Sequence, residues 1–366
     1  MAAAPLRMDE VVAPPPATAD LPGIGGRIRS SPEDFRVEEI PAYPADGAPD
    51  GAHVFAWLEK RGCTTDDAVR AVARALSISP RAVGVAGKKD RHAVTRQRIS
   101  VPREAAAGLG AIDLPDVAVV GPIEPHRHKL RIGHLRGNRF TVVIRGVPLA
   151  PDEAQRRLAA KIEAIDRLGG IENRYGPQRF GRDGKNAGRG LDRLRRGRPR
   201  KGDIVLSAGQ SLLFNHYLLA RRRDGLLRTA LPGDLVQRTD SGGMFVCDDP
   251  DEVTARLERG EAVLTGPMFG SRMRAPPEGS PACEREAATL AWGGIDAGRL
   301  SELGRAAPGT RRPLLVRAEG LSATVARRGD ETVAIVRFAL PAGSYATVLL
   351  DELYHPAPAV QAWAAE

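Results

Sequence analysis

Aromatic residues are few: three tryptophans, five tyrosines and eight phenylalanines in 366 residues. So thin a supply argues against a function built on stacking an extended single strand base by base. Cysteine is scarcer. Cys63, Cys247 and Cys283 stand far apart, are odd in number and form no CxxC pair. Neither a disulfide framework nor a zinc site is indicated, and a reducing cytoplasm fits. No apolar run approaches the roughly 20 residues of a membrane-spanning helix. The chain starts with a Pro- and Ala-rich stretch that carries Asp and Glu and lacks the apolar core of a signal peptide. It reads as a flexible leader, residues 1–19. Walker A, GxGxxG, HExxH and GxSxG motifs are all missing, which leaves a bound metal or nucleotide cofactor unsupported. No repeat at solenoid periods is present either.

What the chain has in excess is positive charge. Lys and Arg total 54 against 45 Asp and Glu, a net charge of +9, and the pI is about 9.9. Such a balance points to a polyanion, nucleic acid above all. A genome bias toward Arg, Ala, Gly and Pro would produce the same excess, so charge alone carries modest weight. With 42% hydrophobic residues, the length suits two domains with real cores.

Periodicity outlines the elements. Strands are expected over Ile28–Ile40, with a turn at Ser31-Pro32 and an alternating finish at Phe35, Val37 and Glu39, over His53–Leu58, and over Asn138–Val147. Thr64 and Thr65 can cap a helix whose apolar residues Ala68, Val69, Val72, Ala73 and Leu76 share one face. A second amphipathic helix runs over Asp152–Leu168 and closes at Gly169-Gly170. The character then changes. Helical spacing recurs over Gln210–Arg223, but the chain to about Pro308 is weakly patterned. Strands return at Leu314–Glu319, Ser322–Arg327 and Thr332–Leu340, and a helix follows over Thr347–Leu353. This reads as a β-rich unit in two pieces, residues 20–170 and 310–366, interrupted by an insertion, residues 171–309.

One stretch concentrates chemistry: Gly87-Lys88-Lys89-Asp90-Arg91-His92-Ala93-Val94-Thr95-Arg96-Gln97. It joins a short apolar strand, Ala82–Ala86, to a second strand over Gln97–Val101. Asp90 therefore sits in a tight loop between extended segments, where catalytic groups are often presented. Lys88, Lys89 and Arg91 are expected to keep its carboxylate ionised or to touch phosphate. An ionised carboxylate suits a nucleophile or an electrostatic stabiliser. On local composition alone a solvated charged turn is the better explanation of the loop, but it does not account for Thr95 and Gln97, polar residues at strand spacing that could face a base or a phosphate.

Two basic stretches are candidate phosphate contacts. Arg193, Arg195, Arg196, Arg198, Arg200 and Lys201 put six cations in nine positions; a solubilising loop is the plain alternative. Arg127, Lys129, Arg131, Arg136 and Arg139 form the other, and strand alternation would place several on one face. Phe35, Phe140, Tyr175, Phe180 and Tyr345 lie in polar or Gly-containing motifs, compatible with stacking on one exposed base, although core packing is the default for each.

Taken together, six motifs resemble the TruD family of tRNA pseudouridine synthases: SPEDFRVEEI (Ser31–Ile40), AGKKDRHAVTRQ (Ala86–Gln97), KLRIGHLRGNRF (Lys129–Phe140), NRYGPQRFG (Asn173–Gly181), TGPMFG (Thr265–Gly270) and LPAGSYAT (Leu340–Thr347). They run nearly end to end and in the family's order. The resemblance implies an α+β fold: a pseudouridine-synthase catalytic domain, a mixed β-sheet with flanking helices, interrupted by a TruD-specific α/β insertion. It implies a cytoplasmic isomerase that converts uridine to pseudouridine in tRNA, typically uridine 13 of the D-arm, with no cofactor or metal. Asp90 matches the family's catalytic aspartate, and Phe35, Asn138 and Tyr345 match positions that line the uridine pocket. Phe140 fits a stacking role, Arg29 stands where the family often has a lysine near the nucleophile, and Lys89 is placed at the substrate. Tyr345 and Arg29 depart from the family's usual Phe and Lys. Nothing looks like a dimerisation helix, so a monomer is expected. The alternative is a non-catalytic tRNA-binding or folding factor that keeps the fold; the intact motif at Asp90 argues against it.

Overall fold

The computed structural model describes residues 4–196 and 202–355. Seven strands come first: β1 (Phe35–Pro41), β2 (His53–Arg61), β3 (Gly84–Val85), β4 (Val94–Pro102), β5 (Asp113–Leu114), β6 (Val117–His126) and β7 (Leu135–Val147). Then follow β8 (Ile171–Glu172), β9 (Leu235–Arg238), β10 (Met244–Val246), β11 (Ala262–Met268), β12 (Thr310–Pro313), β13 (Leu315–Val316), β14 (Glu319–Arg328) and β15 (Glu331–Pro341). The helices are α1 (Met8–Val12), α2 (Thr65–Ala75), α3 (Pro151–Arg167), α4 (Lys185–Arg196), α5 (Ile204–Arg223), α6 (Pro250–Arg259), α7 (Pro281–Trp292), α8 (Arg299–Glu302) and α9 (Ala346–Tyr354).

The large sheet is mixed, in the order β14-β15-β7-β1-β4-β2-β6-β5, with β3 added to β4. The parallel pairing of β1 with β4 sets Arg36 opposite Val94 and Val37 opposite Thr95. Along β1 the residues Phe35, Val37 and Glu39 alternate onto the covered face, and along β2 so do Val54, Ala56, Leu58 and Lys60. Helices cover that face in two groups. Under the β2 end, α2 brings Ala68 and Val72 against Leu58, Ile99 and Val101. Under the β7 and β15 end, α3 and α9 bring Leu158, Ile165, Leu349 and Leu353 against Val142, Ile144 and Val336. Where the two cores meet, the covered face carries Glu39, Lys60, Thr95 and Gln97, all buried. Buried polar groups need partners, and several of the partners here belong to the loop that holds Asp90.

A further core is drawn from residues between Tyr175 and Leu314, with Val11. Its axis is α5, buried on all sides from Ala208 to Leu219, as a helix apolar around most of its circumference must be. A Cβ on Gly190 of α4 would collide with the Gly209 backbone of α5, so these two helices cross in near backbone contact. A four-stranded sheet, β10-β9-β11-β12, lies with them. The sequence reading treats most of 224–308 as weakly patterned, because these strands are short and burial there depends on α5 rather than on alternation.

The leader expected over residues 1–19 is corrected for the part the structure describes. Val11 of α1 is fully buried in the α5 core. Thr18 is held by its backbone and hydroxyl on the Glu352 carboxylate, at 2.9 Å each, and its carbonyl accepts from Lys161. The helix expected from Gln210 begins instead at Ile204, capped by Asp203.

Candidate active site

Asp90 follows β3 and precedes β4. Its Oδ1 accepts the backbone N–H of His92, two residues on, at 3.0 Å, the Asx turn that makes Asp a natural loop residue. Its Oδ2 lies 2.5 Å from Nη2 of Arg29. Its main-chain carbonyl accepts from Nζ of Lys60 at 2.6 Å. The neighbouring lysines are engaged otherwise: Lys88 pairs with Asp66 at the surface, and Lys89 with Glu39 and Asn138. Neither Lys88 nor Lys89 bonds the Asp90 carboxylate, so the expectation that they serve it is corrected for these two. An extended chain points neighbouring side chains apart, and the cation that reaches Asp90 comes from 61 residues earlier.

Arg29 takes a left-handed backbone conformation, φ 60, uncommon for a residue with a Cβ. Its guanidinium lies over the Phe35 ring, 4.4 Å from the centroid. Burial pulls its pKa below the usual arginine value, and Asp90 and Tyr354 pull it back. Tyr354, also buried, has its own pKa pushed up to about 12 by desolvation. Lys60 is almost fully buried on β2, its ammonium shared between the carbonyls of Asp90 and Cys63, and desolvation draws its pKa below that of an ordinary lysine. Sequence reading missed Lys60, yet the signal was legible: it falls in register with Val54, Ala56 and Leu58 on the core face.

Thr95 and Gln97 point into the covered face of the sheet. Both are fully buried. Gln97 accepts from the Thr65 hydroxyl and donates to the Gly87 carbonyl, and Thr65 in turn accepts the Lys89 N–H. The first residue of α2 and a buried residue of β4 thereby grip the loop ahead of Asp90.

Of the expected site residues, Arg29, Phe35, Lys89, Asn138 and Phe140 gather around this loop. Glu39 and Asn138 are direct partners across β1 and β7, and Val37 faces Phe140. Phe35 and Phe140 meet edge to face at 6.1 Å, and Phe140 stacks on Phe338 at 5.0 Å. Both rings are more than nine-tenths buried, so they form a floor rather than protruding platforms. Gly137 is required beside Asn138, since a Cβ there would collide with the Leu340 carbonyl. Tyr345 packs against both the core that holds Phe35 and Phe140 and the core around α5; its ring is 5.6 Å from Tyr175 and 6.0 Å from the Arg312 guanidinium. Arg312 also bonds the carbonyls of Asn173 and Gly343, tying the turn before Tyr345 to the chain that enters the α5 core. Tyr175 and Phe180 are core residues.

The cationic arm divides. Arg193 pairs with Asp203 at 3.4 Å and Arg195 donates to the Gly293 carbonyl at 2.9 Å, both from the last turn of α4, while Arg196 is exposed. Arg198, Arg200 and Lys201 lie outside the described residues. The second basic stretch does not share one strand face, because Arg127 to Arg131 fall in the loop between β6 and β7. A cleft of about 400 Å³ between the two sheets is lined by Ile40, Gly137, Leu264, Val316, Arg317 and Leu340 among others, and excludes Asp90. Among the described residues no group of His, Cys, Asp and Glu could hold a metal ion, and no helix is long and apolar enough to cross a membrane.

Comparison with known proteins gives one family. The model of tRNA pseudouridine synthase D (TruD) matches residues 16–188 and 199–353. The tRNA pseudouridine synthase D of Anaeromyxobacter sp. (strain Fw109-5) is 43% identical over 349 residues, 93% of this chain and 95% of that one. A counterpart from Thermus thermophilus is 38% identical over 356 residues, 94% of each. The crystal structure of the putative tRNA pseudouridine synthase D from Methanosarcina mazei superposes with a TM-score of 0.75 at 23% identity, over 96% of this chain and 99% of that one; at that identity it shows a common fold.

Proposed function

The chain belongs to the TruD family of tRNA pseudouridine synthases, and on that premise we propose that Asp90 is the carboxylate through which it works. The protein is an isomerase that converts uridine in tRNA to pseudouridine. We assign the target as uridine 13 of the D-arm. In the same reading the nine-stranded sheet with its helices is the catalytic domain, and 171–309 is the inserted one; the separate core around α5 supports this division.

The reaction sets the requirements. The C1′–N1 bond breaks, the uracil turns, C5 bonds to C1′, and the C5 proton leaves while N1 gains one. No atom is oxidised or lost. Charge develops at C1′ as the glycosidic bond opens, and an ionised carboxylate stabilises it. Asp90 does so either by bonding C1′ or by assisting formation of a glycal; both routes place the carboxylate at the ribose. Arg29 holds one oxygen at 2.5 Å and the Asx turn holds the other, so the group is oriented before it acts. Phe35 and Phe140 floor the uracil cavity, and Asn138 supplies a polar contact to a base taken out of its stack. Tyr345 closes the cavity from the second core.

The observation that carries this reading is the long-range pairing of Asp90 with Arg29 above Phe35. The test is to incubate the protein with unmodified tRNA and map pseudouridine by carbodiimide chemistry, with Asp90→Asn alongside. Wild type is expected to modify uridine 13, and Asp90→Asn to bind tRNA within a few-fold yet turn nothing over, since phosphate contacts dominate affinity. Substantial product from Asp90→Asn would remove Asp90 from its role.

A further inference from the structure

Lys89 makes an unusual use of a buried lysine. Its Nζ lies 2.7 Å from Oδ1 of Asn138 and 2.7 Å from Oε2 of Glu39, with side-chain exposures of 4% for Lys89 and zero for Glu39. The other carboxylate oxygen, Oε1, accepts the backbone N–H of Arg98 at 3.2 Å. A chain of contacts therefore runs from β4 through β1 to β7, anchored in central strands.

The two ends of an asparagine amide are nearly alike in shape, but an ammonium distinguishes them. Lysine has three donors and no acceptor, so it fixes the Asn138 oxygen toward itself. The amide nitrogen must then point the other way, and among the described residues it donates to no protein group. Both donors are offered to the side away from Lys89, on a strand flanked by Phe35 and Phe140. Uracil presents two carbonyl acceptors on either side of N3–H. Cytosine replaces one of those carbonyls with an amino donor. A fixed amide donor aimed at the C4 substituent accepts the uracil carbonyl and clashes electrostatically with the cytosine amino group, whereas the C2 carbonyl is common to both bases.

We propose that Lys89 is a specificity-determining residue: by fixing the Asn138 amide it makes the site donate to a pyrimidine carbonyl and refuse an exocyclic amino group. The role rests on the catalytic reading above and adds to it. Glu39 completes the device, since it compensates a buried charge that would otherwise be costly. Removing Lys89 alone would strand the Glu39 carboxylate, so the informative variant removes both charges, Lys89→Met with Glu39→Gln. The glutamine keeps an oxygen for the Arg98 N–H. A second variant, Asn138→Asp, keeps the contact to Lys89 and removes the donors.

The experiment compares single-turnover rates on tRNA carrying uridine, 2-thiouridine or 4-thiouridine at the target, because sulfur is a poorer acceptor than oxygen. The intrinsic effect of sulfur on the chemistry cancels when each variant is compared with wild type. For 4-thiouridine the uridine-to-thiouridine rate ratio is expected to be about tenfold larger in wild type than in either variant, about 1.4 kcal/mol of coupling, with 2-thiouridine as the control. A 4-thiouridine ratio equal within twofold, or an effect confined to 2-thiouridine, in an enzyme that does make pseudouridine, would overturn the role of Lys89 alone. No pseudouridine from wild type on the uridine tRNA would overturn the catalytic reading and the inference with it.

Discussion

Lys60 donates to the main-chain carbonyl of Asp90 at 2.6 Å from a strand 30 residues earlier. The same ammonium holds the Cys63 carbonyl at 2.7 Å, so one buried cation ties the end of β2 to the loop that presents the carboxylate. Two backbone carbonyls accept from this ammonium, and burial draws its pKa below the ordinary lysine value.

Replacing Lys60 by Met leaves those carbonyls without their donor and lets the loop drift. A displacement of about 1 Å at a reacting group can cost roughly 100-fold in rate. Lys60→Met is therefore expected to lower the single-turnover rate by about 10- to 100-fold while tRNA affinity stays within a few-fold. A variant that binds tRNA poorly but reacts at the wild-type rate once bound would contradict this account.

Tyr345 carries a hydroxyl with no hydrogen bond among the described residues, and its ring contacts are to Tyr175 and Arg312. Tyr345→Phe should keep kcat/KM within about threefold, because a hydroxyl without a partner contributes no net binding. Tyr345→Ala should cost at least about tenfold through lost ring packing. Equal losses in the two variants would assign the hydroxyl a direct part in the reaction.

The last turn of α4 separates binding from stability. Arg196 is exposed, and its neutralisation to Gln should weaken tRNA binding and reduce the slope of log affinity against log salt by about 0.7 to 0.9. Arg195 instead donates to the Gly293 carbonyl, so Arg195→Gln should lower the melting temperature more than it changes the salt slope. Salt titrations and thermal melts of the two variants distinguish these outcomes.

His216 governs part of the pH dependence of stability. Buried on α5 and stacked on Trp292 at 4.2 Å, its pKa falls to about 4, chiefly through desolvation and also through Arg223. Between that value and the ordinary 6.5, the unfolded chain binds a proton that the folded one refuses. The contribution is fully present above about pH 6.5 and is lost as pH falls toward about 4, by about 3 kcal/mol. His216→Gln removes the titration, so its stability should fall less steeply than that of wild type over this range in urea melts. Parallel curves would place the acid sensitivity elsewhere.

Sequence alone carried strands at β1, β2, β4, β7, β14 and β15, the α2 cap at Thr64, the α3 helix and the Asp90 loop, because alternation, capping and turn chemistry are local; it missed β6 and the short strands β9 to β12. It also carried the family, through six motifs in order. Lys60 and Glu39 were legible in principle as charges at core-facing positions of β2 and β1. What only the tertiary structure decided is who stands next to whom. Arg29, rather than a cation of the loop itself, meets the carboxylate, since the approach to β1 folds back over the loop while neighbouring side chains diverge. Gln97 and Thr65 turn out to grip the loop, Lys89 turns to Asn138, and Tyr345 packs against both the Phe35 and Phe140 core and the core around α5. Contacts between residues 30 to 61 positions apart are set by strand pairing, and no local pattern in the chain encodes them.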